Sequence, residues 1–294
     1  MILGSAATPI AVAMADVAAE GQTVQLALSP IDLPEGKGTW TFRLPQSTNV
    51  MAIPIVEYWK KTGVKTFGFL GYADAYGESW LKAITAQAEK AGIKSVDVER
   101  FARPDTSVTG QALKLVSANP DAILVAASGS GAAMPHKGLV ERGYSRTKIF
   151  QTHGAATMDL IRVGGKDVEG SFVSSGPALV PTLLPDSNPS KLLGERYIAE
   201  YEKVYGKGSA NQFGAHVFDA YIVLSRVVPE ALKKGRPGTK EFRLALKDAL
   251  ETAGRIPVSQ GVLNYTATDH YGFTPDTGVL LTVVNGDWKL ANPK

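Results

Sequence analysis

The sequence predicts an α/β fold, a mostly parallel sheet with helices on both faces. Short apolar runs recur without polar interruption, as in KTFGFLG over 65–71 and DAILVAAS over 121–128. A strand buried on both faces reads this way, whereas a half-exposed strand alternates. Between these runs lie segments with apolar residues at helical spacing, such as Trp80, Leu81, Ile84 and Ala88. The alternation stops near 188, and a mostly helical stretch to 253 precedes a closing strand pair. Strands separated by helices mean a parallel sheet covered on both sides, with right-handed crossovers.

Each element has a local reason. Ile2 and Leu3 read as the end of a strand, followed by a Gly-Ser turn and a helix over 9–20. TVQLALSP is a short buried strand stopped by Ser29-Pro30, IDLPEGKG a loop, and TWTFRLP an extended piece. A helix over 50–61 puts Met51, Ile55, Val56 and Trp59 on one side. Strands then follow at KTFGFLG, KSVDVERF, DAILVAAS, KIFQTH and EGSFVSS. The helices between them cover 77–91, a stretch marked by Val108, Ala112, Leu115 and Val116, then 132–142 and 157–163. Further helices over 192–205, 213–233 and 239–253 are divided by the turn signals GKGS and KGRPGT. GVLLTVV and WKLA flank Asn285-Gly286-Asp287, a hairpin signal because both turn residues must reach positive φ.

The totals bound the function. The 294 residues suit one large or two medium domains, and 44% hydrophobic content with 20% charged can bury an ordinary core. A scattered net charge of +3 gives no basic tract for nucleic acid. With no cysteine, there is no disulfide framework and no thiolate metal site. No run of 18 apolar residues exists, so direct membrane insertion is not expected. The start lacks a basic region, its first charge being Asp16, and fails as a secretory signal.

In a parallel sheet the ligand lies beyond the carboxyl ends of the strands. Three loops leave those ends: YADAYG, SGSGAAM and HGAAT. The first carries two large rings, Tyr72 and Tyr76, where a plain turn needs only Gly, Asp and Ser. They either plug the sheet edge or touch a ligand. No HExxH, Walker A or GxSxG motif occurs. Gly129-Ser130-Gly131-Ala132-Ala133-Met134 follows a strand and precedes a helix. It is either a small-residue loop that something approaches closely or a phosphate cradle, and its last position is Met rather than Gly or Ala. None of the four histidines has metal-ligand spacing. His153 ends a strand in the ligand-facing set. His216 reads as a packing or capping residue with some chance of facing a cleft, His136 as exposed on a helix, and His270 as exposed in a loop. Asp74 reads as a turn former, Asp219 as helix surface and Asp105 as a cap. Tyr197, Tyr201 and Tyr205 at i,i+4 spacing read as a core stripe. No catalytic residue, metal or cofactor is expected.

Together these segments resemble the periplasmic solute-binding proteins of branched-chain amino acid type ABC transporters, with the type I periplasmic binding fold. The resemblance rests on ILGSAATPIAVAMADVA, LALSP, FRLPQS, YADAYGESW, NPDAILVAASGSGA, GGKDVEGSFVSSGP, YEKVYGKGSANQFGAHVFDAYIVL and VVNGDWKL, in that order over nearly the whole chain. It implies two lobes joined by crossing hinge segments, lobe 1 from 1–44 and 177–274, lobe 2 from 45–176 and 275–294. Family members open with two more strands and helices. The resemblance therefore implies a first lobe incomplete at its N-terminal side, with an open sheet edge beside 2–3 and exposed apolar helix faces.

The family grips its ligand between the lobes. Carried over by position, Ser5 and the adjoining Ala6 would hold the ligand carboxylate, Tyr76 would lie over the ligand with Tyr72 as companion, and Phe213 would line the side-chain pocket. The departures bear on the ligand. The family's Thr after the second strand's Ser-Pro is missing, since Ile31, Asp32 and Leu33 stand there. The Glu that holds an ammonium is replaced by His153, and an aromatic by Ser128. An imidazole cannot replace a carboxylate facing an ammonium and suits an anionic or hydroxylated group. Asp32 is a possible substitute anion. The resemblance implies as partners a small carboxylate, an aromatic acid in preference to leucine or valine, and the membrane permease of an ABC transporter, and it implies a periplasmic location for this chain. The alternative is a cytosolic α/β enzyme holding a nucleotide or phosphate at the Gly129–Gly131 loop.

Overall fold

The computed structural model describes residues 1–291, so the last three residues of the second lobe assigned above, 292–294, lie outside the described residues. The chain begins β1 (Ile2–Leu3), α1 (Thr8–Glu20), β2 (Gln25–Ala27), β3 (Thr41–Arg43), α2 (Thr48–Thr62) and β4 (Thr66–Tyr72). It continues α3 (Ala75–Lys90), β5 (Lys94–Phe101), α4 (Thr109–Ala118), β6 (Ala122–Ala126), α5 (Ala133–Val140), β7 (Ile149–Gln151), α6 (Met158–Gly164) and β8 (Phe172–Ser175). Then come α7 (Lys191–Tyr205), α8 (Gln212–Leu232), α9 (Lys240–Thr252), the hairpin β9 (Ile256–Val258) and β10 (Gly261–Leu263), and the hairpin β11 (Val279–Val284) and β12 (Asp287–Leu290).

The strands form two main sheets, one per lobe. The larger has the order β12-β11-β8-β7-β6-β4-β5, parallel from β8 to β5 and closed by the antiparallel β11–β12 hairpin. The smaller is the parallel trio β1-β2-β3. The order reverses at β4: the chain leaves it outward to β5 and returns on its other side at β6. Loops that diverge at such a switch point leave a crevice between them. The loops after β4 and β6 flank it here.

Local chemistry fixes the helices that frame the crevice. Asp74 caps α3 by accepting from the N–H groups of Tyr76 (2.9 Å) and Gly77 (3.2 Å). Asn211 caps α8 through Gly214 N–H at 3.0 Å. Ser47 caps α2, and Gly63 ends it in the left-handed conformation. The larger lobe's core stacks Phe150 on Phe172 (centroids 4.7 Å) with Trp59 edge-on to Phe150 (5.4 Å). The smaller lobe packs Leu26, Phe42 and Leu44 against Val223 and Val227 of α8 and Leu246 and Leu250 of α9.

Several sequence readings need correction. The β9–β10 hairpin was not foreseen. Asp219 is fully buried rather than on the helix surface, and accepts from the N–H groups of Ser259 (2.7 Å) and Gln260 (3.2 Å) between those two strands. His136 is buried, not exposed: Nε2–H donates to the Asp167 carbonyl (2.8 Å) and Nδ1 accepts from Gln151 (3.2 Å). His270 is also buried, stacked on Phe42 at 3.9 Å and 2.9 Å from Glu251. Of the tyrosine stripe only Tyr197 is core; Tyr205 is 67% exposed. Among the described residues β1 pairs on one side only, with β2, and Leu3, Val17, Val217 and Tyr221 are exposed apolar residues of this lobe.

Candidate functional site

The crevice holds a narrow cavity walled by both lobes. The smaller lobe contributes Ala6 and Thr8 at the start of α1, Leu28 to Pro30 after β2, and Phe213 and His216 from the first turns of α8. The larger lobe contributes Tyr76, Arg103, Ser128, His153 and Gly154. Its free space, about 20 Å³, admits about one water molecule. A ligand therefore enters only when the lobes part.

Of the eight residues singled out in the sequence, Ala6, Tyr76, Ser128, His153 and Phe213 meet around this cavity. Three stand beside it. The Ser5 hydroxyl accepts from Ala7 N–H (3.1 Å), and its carbonyl accepts from Ser29 (3.1 Å), so it shapes the turn that presents Ala6. Tyr72 lies beneath the Gly129–Ala132 turn. Its hydroxyl accepts from Ser128 N–H (3.5 Å), and a Cβ on Gly131 would sit 2.6 Å from the same oxygen. The close approach that this small-residue loop allows is made by a tyrosine hydroxyl. Asp32 accepts from Ser79 of α3 (2.6 Å) and from Tyr271 (3.2 Å), forming a strap between the lobes rather than a cavity wall.

Tyr76 is itself held. Its hydroxyl donates to Thr152 (2.8 Å), which donates on to the Ala127 carbonyl (3.2 Å), and it accepts from Gly154 N–H (3.1 Å). Burial pushes this phenol's pKa up to about 12, so it stays neutral. The ring stands 5.8 Å from His153, and Trp80 backs the same imidazole at 5.5 Å.

Sequence reasoning missed Arg103 and undervalued His216. The Arg103 guanidinium lies 4.1 Å over the Tyr72 ring and pairs with Asp74 at 2.6 Å, and it reaches toward the Ser128 hydroxyl at 3.4 Å. It is the one cation on the cavity wall among the described residues. No Asp or Glu among the described residues lines that wall. Burial pulls the pKa of His153 down to about 3, and burial together with His153 does the same to His216, so both rings are neutral. The site thus offers the N-terminal end of α1, where the helix dipole favours an anion, one guanidinium, neutral imidazoles and aromatic walls. It offers no anion to hold an ammonium.

The comparisons with known proteins agree with this architecture. A family model described as periplasmic binding protein matches residues 1–286. The chain belongs to the periplasmic binding protein family. An extracellular ligand-binding receptor from Rhodopseudomonas palustris is 48% identical, with a TM-score of 0.96 over 99% of this chain and 81% of that one. At lower identity the likeness is one of fold. A leucine binding protein from Thermotoga maritima is 19% identical, with a TM-score of 0.79 over 99% of this chain and 78% of that one. An ABC transporter solute binding protein from R. palustris in complex with benzoate is 16% identical, with a TM-score of 0.79 over 98% of this chain and 75% of that one. No curated protein matches the chain. No helix among the described residues is long and apolar enough to cross a membrane.

Proposed function

We propose that this periplasmic binding protein captures a small carboxylate, an aromatic acid in preference to a branched-chain amino acid, and delivers it to the permease of an ABC transporter. The observation that carries this reading is the cavity wall, which has aromatic rings and a guanidinium but no carboxylate. An α-ammonium buried there would lack a counter-ion, at a cost of several kcal/mol. Asp32, the substitute anion the sequence allowed, is committed to Ser79 and Tyr271. The ligand carboxylate would meet the α1 N-terminus beside Ser5 and Ala6, and its ring would lie against Tyr76 and Phe213. The chain would cross between lobes near 44–45, 176–177 and 274–275, with Gln46 donating to the Gln260 carbonyl (2.9 Å) across that hinge. The benzoate named for the distant solute binding protein is a ligand of the kind this cavity suits.

Thermal melting against benzoate, phenylacetate, leucine, valine, NAD and ATP tests the proposal. An aromatic acid at a hundredfold excess over its Kd is expected to add about 2.7 kcal/mol and raise Tm by roughly 5 °C or more. A rise with leucine alone would return the ligand to the amino acids, and a rise with NAD or ATP would favour the nucleotide-binding enzyme.

The strap gives a second expectation. Asp32→Ala removes a contact that exists only when the lobes meet, so it biases the protein open. Affinity for the bound acid is expected to fall by about 1 kcal/mol, roughly fivefold, since the pair is partly exposed. Isothermal titration reads the change; an unaltered Kd would mean the strap does not favour closure.

A further inference from the structure

The small net charge that reads as scattered in the sequence is concentrated in one place. Residues 233–243, KKGRPGTKEFR, carry five cations and one carboxylate, more positive charge than the +3 of the whole chain. They form the turn between α8 and α9 and the first turn of α9. The first turns of α8 line the ligand cavity, and its 21 residues put this turn about 30 Å from it. The turn has a fixed shape. Thr239 accepts from Phe242 N–H (3.2 Å) and donates to the Arg236 carbonyl (2.7 Å), and a Cβ on Gly235 would come within 2.5 Å of the Phe242 nitrogen.

Fold stability accounts for two of the five cations. Lys233 and Lys234 follow α8, where the helix dipole favours positive charge, and they pair with Glu230 and Asp248 at 2.7 Å each. Arg236, Lys240 and Arg243 pair with no carboxylate among the described residues; Arg243 reaches only the Gly238 carbonyl, at 3.4 Å. Lys240 and Arg243 also stand in the first turn of α9, the end where the dipole disfavours a cation. Leu232 and Leu244, next to Lys233 and Arg243 in the chain, are 50% and 45% exposed. The groove beside the turn, between α8 and α9, is lined by Arg226, Glu230, Lys234 and Asp248, whose charges cancel. It offers no pocket for a single small anion. Unpaired cations on a projecting turn suit a surface that presents many anions at once.

We infer that this turn docks the protein on an anionic bilayer surface, with Arg236, Lys240 and Arg243 meeting lipid phosphates and the two leucines at the headgroup boundary. Two leucines bury too little to anchor a protein, so the contact is electrostatic and reversible. The inference rests on the delivery reading, because a protein that hands cargo to a permease works at a membrane. Docking there confines its search for the permease to a surface.

Co-sedimentation of the unliganded protein with phosphatidylcholine vesicles, pure or with about 30% phosphatidylglycerol, tests this. At low salt the partition coefficient is expected to be about tenfold or more higher on the anionic vesicles, and the difference is expected to vanish near 0.5 M salt. Arg236→Gln, Lys240→Gln and Arg243→Gln together are expected to abolish that difference. Lys61→Gln, Lys90→Gln and Lys207→Gln together remove the same charge from three other exposed positions and are expected to keep it. Should the first triple variant melt early, Lys240→Glu alone, at an exposed position, is expected to lose about fivefold or more. Equal partition onto the two vesicles, or equal losses in the two triple variants, overturns the inference and leaves acid capture, read by lipid-free melting, standing. Failure of every acid in that melting panel overturns the capture reading instead, because sedimentation uses no ligand.

Discussion

Acidification from pH 6.5 to 4.5 is expected to cost the protein several kcal/mol of stability, through histidines rather than carboxylates. Burial holds the pKa values of His136, His153 and His216 down to about 4, 3 and 3, against an ordinary value of 6.5. Below pH 6.5 the unfolded chain takes up protons at these sites and the folded chain does not. Stability must then fall as pH falls. Each group contributes at most about 1.4 kcal/mol per pH unit inside its window. Asp219 opposes them. Burial raises its pKa from 3.8 to about 7, so between about 4 and 7 the folded state keeps a proton that the unfolded chain releases. That term adds stability as pH falls. Three groups against one leave a net loss of up to about 2.7 kcal/mol per unit below pH 6. Asp121 and Glu78, whose pKa values hydrogen bonds hold low, add to the loss only where carboxylates titrate, below about pH 4.5. The profile should therefore level off above about pH 7.5 and drop steeply on the acid side. Urea midpoints at pH 7.5, 6.5, 5.5 and 4.5 read it directly. A midpoint that holds constant from pH 6.5 to 5 would mean that His153 and His216 are hydrated in solution with the lobes apart, leaving His136 offset by Asp219.

The alternating helices and strands were legible because burial on both faces writes itself locally. A central parallel strand must be apolar throughout, so 67–70 and 122–126 announce themselves. The terminal hairpin was legible because Asn285 and Gly286 both take positive φ. The β9–β10 hairpin was not, because nothing at Ser259-Gln260 favours a turn. Its N–H groups are gathered from outside by the Asp219 carboxylate, 40 residues earlier in the chain. The same limit hid half of the site. Arg103 reads as a loose surface charge until Asp74 and the Tyr72 ring are seen to aim it. His136 and His270 looked exposed because what buries an imidazole is a distant acceptor: the Asp167 carbonyl for one, Glu251 and the face of Phe42 for the other. Strand-end loops, by contrast, converge by topology alone. Positions 76, 128 and 153 could be placed together without knowing what each side chain touches.

Tyr76→Ala should be the most damaging single change at the site, and in two separable ways. The ring is 5% exposed, packed beside His153, and its hydroxyl joins the first turn of α3 to the turn after β7. Gly154 is shaped to that hydroxyl, since a Cβ there would come within 2.6 Å of it. Removing the whole side chain leaves a cavity and strands the Gly154 N–H, for a stability loss of about 3–5 kcal/mol. It also strips the aromatic wall, weakening capture of the proposed aromatic acid by about 1–3 kcal/mol. Tyr76→Phe separates the two. It keeps the ring and drops only the hydrogen bonds, so stability should fall by about 1–2 kcal/mol while affinity stays within about threefold. Urea denaturation measures the first quantity and isothermal titration the second. If Phe costs as much affinity as Ala, the hydroxyl rather than the ring faces the ligand. If Ala leaves affinity untouched, this tyrosine belongs to the scaffold alone, and the aromatic contact falls to Phe213.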